Sequence, residues 1–310
     1  MKFMGMMLLL LLSSFVAVSA DEEPAKPAAP VIPGSEILLF DIDVDSAGKI
    51  SLSTGLNITN QPGYDSQPRF SNDGQIIYYT RAVTGPESTQ MDIYQYDLSS
   101  AKTSPYMTTA ASEYSPTPIR DEPGLAVVQV DDQGDQYITL LNAEADAENR
   151  IKRYADLKQV GYFGWTYGYK VWSFVLNEAG GGDLIHMGKG KKPFELMKNV
   201  GRTFVTDKEQ RVVYFVDKNT TPWRIKSKQR KLHDAIDILA LPEGVEDFTY
   251  DYSGRFWAGQ NNTLMVSTDQ KTWQKVKTFE LPGLGNISRV TTNPEANKIA
   301  IVFAEKNHNE

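Results

Sequence analysis

Residues 65–98 read DSQPRFSNDGQIIYYTRAVTGPESTQMDIYQYDL. QPRF leads into the turn at Asn72-Asp-Gly, the β-rich run IIYYT starts at Ile76, and after a loop the run DIYQYDL starts at Asp92. Asp-Gly tolerates positive φ, so it closes a tight hairpin between the first two strands. The unit therefore reads strand, tight turn, strand, loop, strand, turn, strand. The run after the turn returns as AVVQV at Ala126, VWSFV at Val171, VVYFV at Val212, FWAGQ at Phe256 and IAIVF at Ile299. The starts are 50, 45, 41, 44 and 43 residues apart, the period of a four-stranded propeller blade. The run after the loop returns as QYITLLN at Gln136, DLIHMG at Asp183, TPWRIKS at Thr221 and NTLMVST at Asn262.

The sixth unit supplies only two strands, Ile287–Thr292 and Ile299–Phe303, before the sequence ends. Two strand-like runs stand unassigned at the other end, Glu36–Val44 and Lys49–Ile58. Pairing them across the termini completes the sixth blade and hides the edges an open sheet would expose. The expectation is an all-β, six-bladed β-propeller over residues 36–306, closed by N-terminal strands pairing with C-terminal ones. A large sandwich or an open solenoid gives no reason for the missing half-blade to lie at the opposite terminus. Only Asn142–Leu157 has helical composition, and it reads as a helical turn or a long loop.

The unit at 65–98 resembles the repeat of the TolB-like, WD-repeat-like six-bladed propellers. Phe70-Ser-Asn-Asp73-Gly74 is similar to that family's aromatic-Ser-x-Asp-Gly turn, and Asp92-Ile-Tyr-Gln-Tyr-Asp97 to its Ile-Tyr-x-x-Asp strand. Tyr250-Asp-Tyr-Ser-Gly254 is a looser copy of the turn, and His186-Met-Gly188 with Pro193-Phe-Glu-Leu196 resembles the passage from third to fourth strand. The resemblance implies a fold, with Asp73 and Gly74 as structural turn residues. TolB itself carries an N-terminal α/β domain, and only a short tether precedes the repeats here, so what is implied is the propeller and not TolB's role in the envelope complex.

The first twenty residues have the anatomy of a secretory leader: Lys2, an apolar run over Met6–Leu12, and the small-residue site Val18-Ser-Ala20. Cleavage near Ala20 would leave a Pro/Ala-rich tether over 21–35 and a short C-terminal tail over 307–310. No second apolar stretch is long enough for a transmembrane anchor. The chain has no cysteine, which fits a bacterial periplasmic or secreted protein large enough to bury its own core. The four Asn-x-Ser/Thr sequences, at Asn57, Asn219, Asn261 and Asn286, then read as turn chemistry. There are 32 basic and 39 acidic side chains, and removing the leader takes only Lys2, so the mature chain carries 31 against 39. A net acidic surface repels phosphate backbones and argues against nucleic acid as a partner.

The residues just before the innermost strands mark one mouth of the channel: Asp65, Gln67, Glu113, Tyr114, Tyr162, Arg202, Asp247 and Arg289 are the candidate ligand-binding residues. Asp65, Glu113 and Asp247 are the acids that would hold a hard cation there in a lactonase-like enzyme. Arg202 and Arg289 neutralise them more simply, because a hard-cation site wants converging oxygens without guanidinium groups beside them. No metal and no cofactor is therefore expected. With three histidines and no Gly-x-Ser-x-Gly elbow, no catalytic residue is assigned. Ser267-Thr-Asp269-Gln-Lys-Thr272-Trp273 resembles the Asp-box hairpin of sialidases, which is structural, so a sialidase-like hydrolase stays a runner-up.

The Gly-rich run Ala179–Asp183 lacks the Lys-Ser/Thr of a phosphate loop. Two basic clusters, Lys189/Lys191/Lys192 and Arg224 to Lys231, read as protection of outer sheet edges. Tyr167 and Tyr169 flank glycines at a turn in an aromatic segment; exposed there they would suit sugar or peptide stacking, but core packing is the preferred reading. The expected function is a non-catalytic binding or scaffold module for an envelope protein, peptide or glycan. The alternative is a propeller hydrolase, lactonase-like or sialidase-like.

Overall fold

A computed structural model describes residues 32–85, 88–229 and 234–306. The leader, its cleavage site, the tether up to Val31 and the 307–310 tail lie outside the described residues, as do Arg230, Lys231, His233 and His308.

The described chain forms six antiparallel sheets in sequence order, and all its regular structure is strand. Blades one to five are four-stranded and run Asp65–Pro105, Ser112–Arg153, Val160–Met197, Val200–Ala240 and Phe248–Thr278. Blade six is built from both ends of the chain. Leu284–Thr292 is its innermost strand, followed outward by Lys298–Glu305, Ser35–Val44 and Ile50–Leu52. Ile37 faces Val302 and Leu39 faces Ala300 across the seam, so closure is by a full antiparallel ladder. The stretch with helical composition, 142–157, holds a short outer strand, Ile151–Arg153, between turns.

The blades pack because strand side chains alternate between the two faces of a sheet. The core consequently consists of six apolar slabs, one between each pair of neighbouring blades. Val171 joins the slab shared with blade two, while its neighbour Trp172 joins the slab shared with blade four. In blade six, Ile299, Ile301 and Phe303 pack on blade five, and Ala300 and Val302 pack on blade one.

The turn after each innermost strand fixes the hairpin. In blade one the Ser71 hydroxyl accepts from the backbone N–H of Ile76 at 2.9 Å, and Asp73 accepts from that of Gln75 at 3.1 Å. Gly74 has φ +71, so the backbone favours glycine; a Cβ there would also stand 2.6 Å from the carboxylate end of exposed Glu295 of blade six, which would have to swing aside. The Asp-box hairpin is structural too. Asp269 accepts from the N–H groups of Lys271 and Thr272, and Trp273 Nε1 donates to the Ala240 carbonyl of blade four at 2.7 Å. Within the described part of the second basic cluster, Lys226 pairs with Asp217 at 2.9 Å and Arg224 with Asp237 at 3.2 Å, while Lys228 Nζ donates to the Gln229 carbonyl at 2.8 Å. Tyr167 and Tyr169 are exposed rather than packed in the core.

Candidate functional site

The six innermost strands converge on the ring axis, and most of them are not regular. The ladder slips between Ser66 and Arg69, between Tyr114 and Thr117, between Val160 and Tyr162, between Val200 and Phe204, and on either side of Ile287. Such bulges re-aim side chains, and they concentrate beside functional sites. In blades one and two the bulge sits at Gln67-Pro68 and Ser115-Pro116, with Gln67 at φ +57 and Ser115 at φ +54. The two bulges are tied together: the Gln67 side-chain oxygen accepts from Ser115 N–H at 2.7 Å and from the Thr80 hydroxyl at 2.8 Å.

Along the axis lie a wide cavity, a neck and a plug. The wide cavity has a volume of about 600 Å³. It is ringed by the turns between first and second strands, including Asn72, Arg120, Lys208, Tyr252 and Asn293. It narrows to a neck of about 70 Å³ that still includes Arg69, Thr117, Phe204 and Thr249. Beyond the neck, Arg289 fills the axis. Its Nη2 donates to the Tyr162 hydroxyl at 3.0 Å, its Nη1 donates to Asp247 at 3.3 Å, and its guanidinium lies 5.2 Å from the Tyr162 ring centre. Asp247 also accepts from Val290 N–H at 3.0 Å and from the Thr203 hydroxyl at 3.1 Å. On the far side of this plug is a separate pocket of about 250 Å³, bordered by Trp223, Glu246 and Ser288.

Of the eight residues expected at the mouth, five line the neck: Gln67, Tyr162, Arg202, Asp247 and Arg289. The other three lie elsewhere. Asp65 is buried against its cross-strand partner Arg81, which it holds through two bonds of 2.6 and 2.9 Å. Burial pushes the Asp65 carboxyl up to about 6, against the pull of that guanidinium. Glu113 is fully buried beside its own cross-strand partner, Gln129, which donates to Oε1 at 3.0 Å; the Thr109 hydroxyl donates to the same oxygen. Its Oε2 has no partner, and burial pushes the carboxyl up to about 7. Tyr114 packs against the slab between blades two and three. The three acids therefore do not converge. Asp247 alone reaches the axis, between two arginines, and that set does not fit a hard cation. Among the described residues no three His, Cys, Asp or Glu side chains gather as a metal-holding group.

What the neck does hold is an excess of positive charge. Arg69, Arg202 and Arg289 face it, with Asp247 as the carboxylate among them. Burial raises the Asp247 carboxyl, and the guanidiniums of Arg289 and Arg202 oppose that rise. Arg202 Nε, Ser115 Oγ and Trp165 Nε1 are buried without hydrogen-bond partners. Arg69 makes no hydrogen bond or ion pair with any described residue, and burial lowers its pKa. Sequence reasoning passed over Arg69. Its signal is the Gln-Pro just before it, because proline within an inner strand marks a bulge.

No protein-family model matches the sequence, and no curated protein matches it significantly. Solved structures do resemble the fold. A provisional TolB from Agrobacterium tumefaciens superposes with a TM-score of 0.66 at 15% identity, over 89% of this chain and 100% of that one. A chain of the nidogen–laminin complex gives 0.58 at 8% identity, over 87% and 98%. A gluconolactonase from Xanthomonas campestris gives 0.51 at 11% identity, over 90% and 99%. At these identities the likeness is one of fold, a TolB-like six-bladed propeller. Among the described residues no helix is long and apolar enough to cross a membrane.

Proposed function

We propose that this chain is an exported, non-catalytic binding module that takes part of an envelope protein, peptide or glycan into the wide end of its channel. The observation that carries the reading is the state of the groups around that channel. The cavity offers Arg69, a half-buried cation without a protein partner, whereas the acid on the axis, Asp247, is already engaged by Arg289, Thr203 and Val290. Binding needs the former, and acid–base or nucleophilic chemistry needs a poised acid, base or nucleophile in hydrogen-bond reach of a substrate. His186 lies mid-strand in blade three and packs against Trp172, with ring centres 4.5 Å apart and planes tilted by 53°, outside the cavity lining. The sequence pattern of a leader and a tether supports export, and the neighbouring TolB and nidogen–laminin structures fit a protein-binding role. Five of the eight predicted mouth residues belong to the proposed site as its floor, with Asp65, Glu113 and Tyr114 serving the blades.

The gluconolactonase likeness supports a second reading, a channel hydrolase. The two separate in a melting experiment with EDTA and with calcium. The binding reading expects no change, and a clear calcium-dependent rise in Tm moves the assignment to a metal enzyme. Thr206 is a half-buried residue on the cavity wall, so Thr206→Trp should fill the space and reduce capture of a partner from envelope extract. Undiminished capture by a folded Thr206→Trp protein would remove the cavity from the proposal.

A further inference from the structure

We infer that the cavity reads the free C-terminal carboxylate of a peptide inserted end-on, with Arg69 as the group that receives it. The inference rests on the binding-module reading and names the ligand class of that same site. Three independent features point to it.

The first is the unpaired cation. Arg69 lines both the wide cavity and the neck, so it stands at the floor of the one and the entrance of the other. It is half-buried and has no hydrogen-bond or ion-pair partner among the described residues, with Asp247 and Arg289 as the charges nearest to it. Its guanidinium therefore faces the cavity with its donors unclaimed by the protein. A ligand carboxylate, which accepts two parallel N–H bonds from the planar guanidinium fork, can take them. The local bulge, with Gln67 at positive φ, is what aims Arg69 there.

The second is the charge of the neck. Arg69, Arg202 and Arg289 line it with Asp247 as the one carboxylate, and that carboxylate is already engaged by Arg289, Thr203 and Val290, so an entering anion meets net positive charge.

The third is shape. The cavity is open at the turn-lined face and shut behind the neck by the Tyr162–Arg289–Asp247 bonds, so a chain does not pass through and only the tip of a ligand reaches Arg69. Its volume of about 600 Å³ lies within the usual span of ligand clefts, roughly 300–1,000 Å³. A sugar acid is a poorer match, because stacking on a pyranose needs a free aromatic face. Trp165 is 6% exposed and packs edge-on to Tyr154 and Phe163, and Tyr250 lies against Tyr214 and Phe256. Tyr252 at the rim, 44% exposed, is the wall aromatic with a face to offer.

The test uses the mature protein and four probes followed by NMR titration: acetyl-trialanine as the free acid, the same peptide as its C-terminal amide, acetyl-Ala-Asp-Ala amide, and trigalacturonate. The free acid is expected to bind at least tenfold more tightly than its amide, and acetate but not acetamide is expected to displace it. Arg69→Gln should abolish the preference for the acid; Arg69→Lys should keep part of it. Should Arg69→Gln fail to fold, the acid-to-amide ratio and the acetate competition on the unmodified protein still decide. Equal binding of acid and amide overturns the inference. So does a preference for the internal aspartate peptide, or Arg69-dependent binding of trigalacturonate without binding of the free acid. Capture from envelope extract lost in Thr206→Trp but kept in Arg69→Gln refutes the carboxylate inference alone, whereas capture kept in both refutes the binding site as well.

Discussion

Glu113→Gln isolates a charge that the fold keeps switched off. Glu113 is fully buried, one of its oxygens accepts from Thr109 and Gln129, and the other meets no partner. Burial pushes its carboxyl from 4.5 to about 7. The folded protein therefore holds a proton that the unfolded chain releases from about pH 4.5 upward, so this group's contribution to stability is greatest below pH 4.5 and falls as pH rises toward 7. A shift of that size is worth about 3 kcal/mol, at 1.36 kcal/mol per unit. Glutamine copies the neutral carboxyl in shape and in its single acceptor, and it does not ionise. Urea unfolding of both proteins at pH 4.5, 6 and 8 should give near-equal stability at the acid end. At pH 8 the Gln variant should lead by about 3 kcal/mol. All other ionisable groups are shared and cancel in the difference. A stability difference that stays the same at pH 4.5 and pH 8 refutes the argument, for it would mean that Glu113 titrates alike in both states.

Asp247→Asn should cost about 3–5 kcal/mol, because it strands the Arg289 and Arg202 guanidiniums together on the axis; urea unfolding measures it, and Arg289→Gln in the same background should recover part of the loss. Ile37→Ala, at the closing seam, should cost about 2–5 kcal/mol by the same assay, whereas Val44→Ala on the exposed end of the same strand should stay within about 0.5 kcal/mol. Gly74→Ala should destabilise by more than about 1 kcal/mol, and Glu295→Ala should return only part of it, since removing the contact leaves the positive φ in place; differential scanning calorimetry of the three proteins tests this.

The fold was legible because a propeller writes the same strand and turn chemistry repeatedly, and each copy checks the others. The incomplete unit at Ile287–Phe303 pointed directly to its missing strands at Glu36–Ile58, since an unpaired edge has to be answered somewhere. The site was less legible. Strand alternation says that residues before the innermost strands lie near the axis, and for Gln67, Tyr162, Arg202, Asp247 and Arg289 it was right. It does not say which way each one turns. Asp65 and Glu113 turn toward cross-strand partners, Arg81 and Gln129, whose identity depends on register. The open cavity lies at the opposite ends of the same strands, where the Asp-Gly turns were read as structural and nothing more. Arg69 was hidden by a one-residue slip, which reverses the facing of everything after it.

The shared sixth blade also dictates an order of events. Asp41 and Lys298 are bonded in the finished molecule and 257 residues apart along the chain. The earliest strand made is thus held back for the last one made, and until that arrives Ser35–Val44 offers an open edge to whatever strand is nearby. Premature stops near the end would leave two raw edges on one molecule, each able to recruit the other's counterpart from a neighbour.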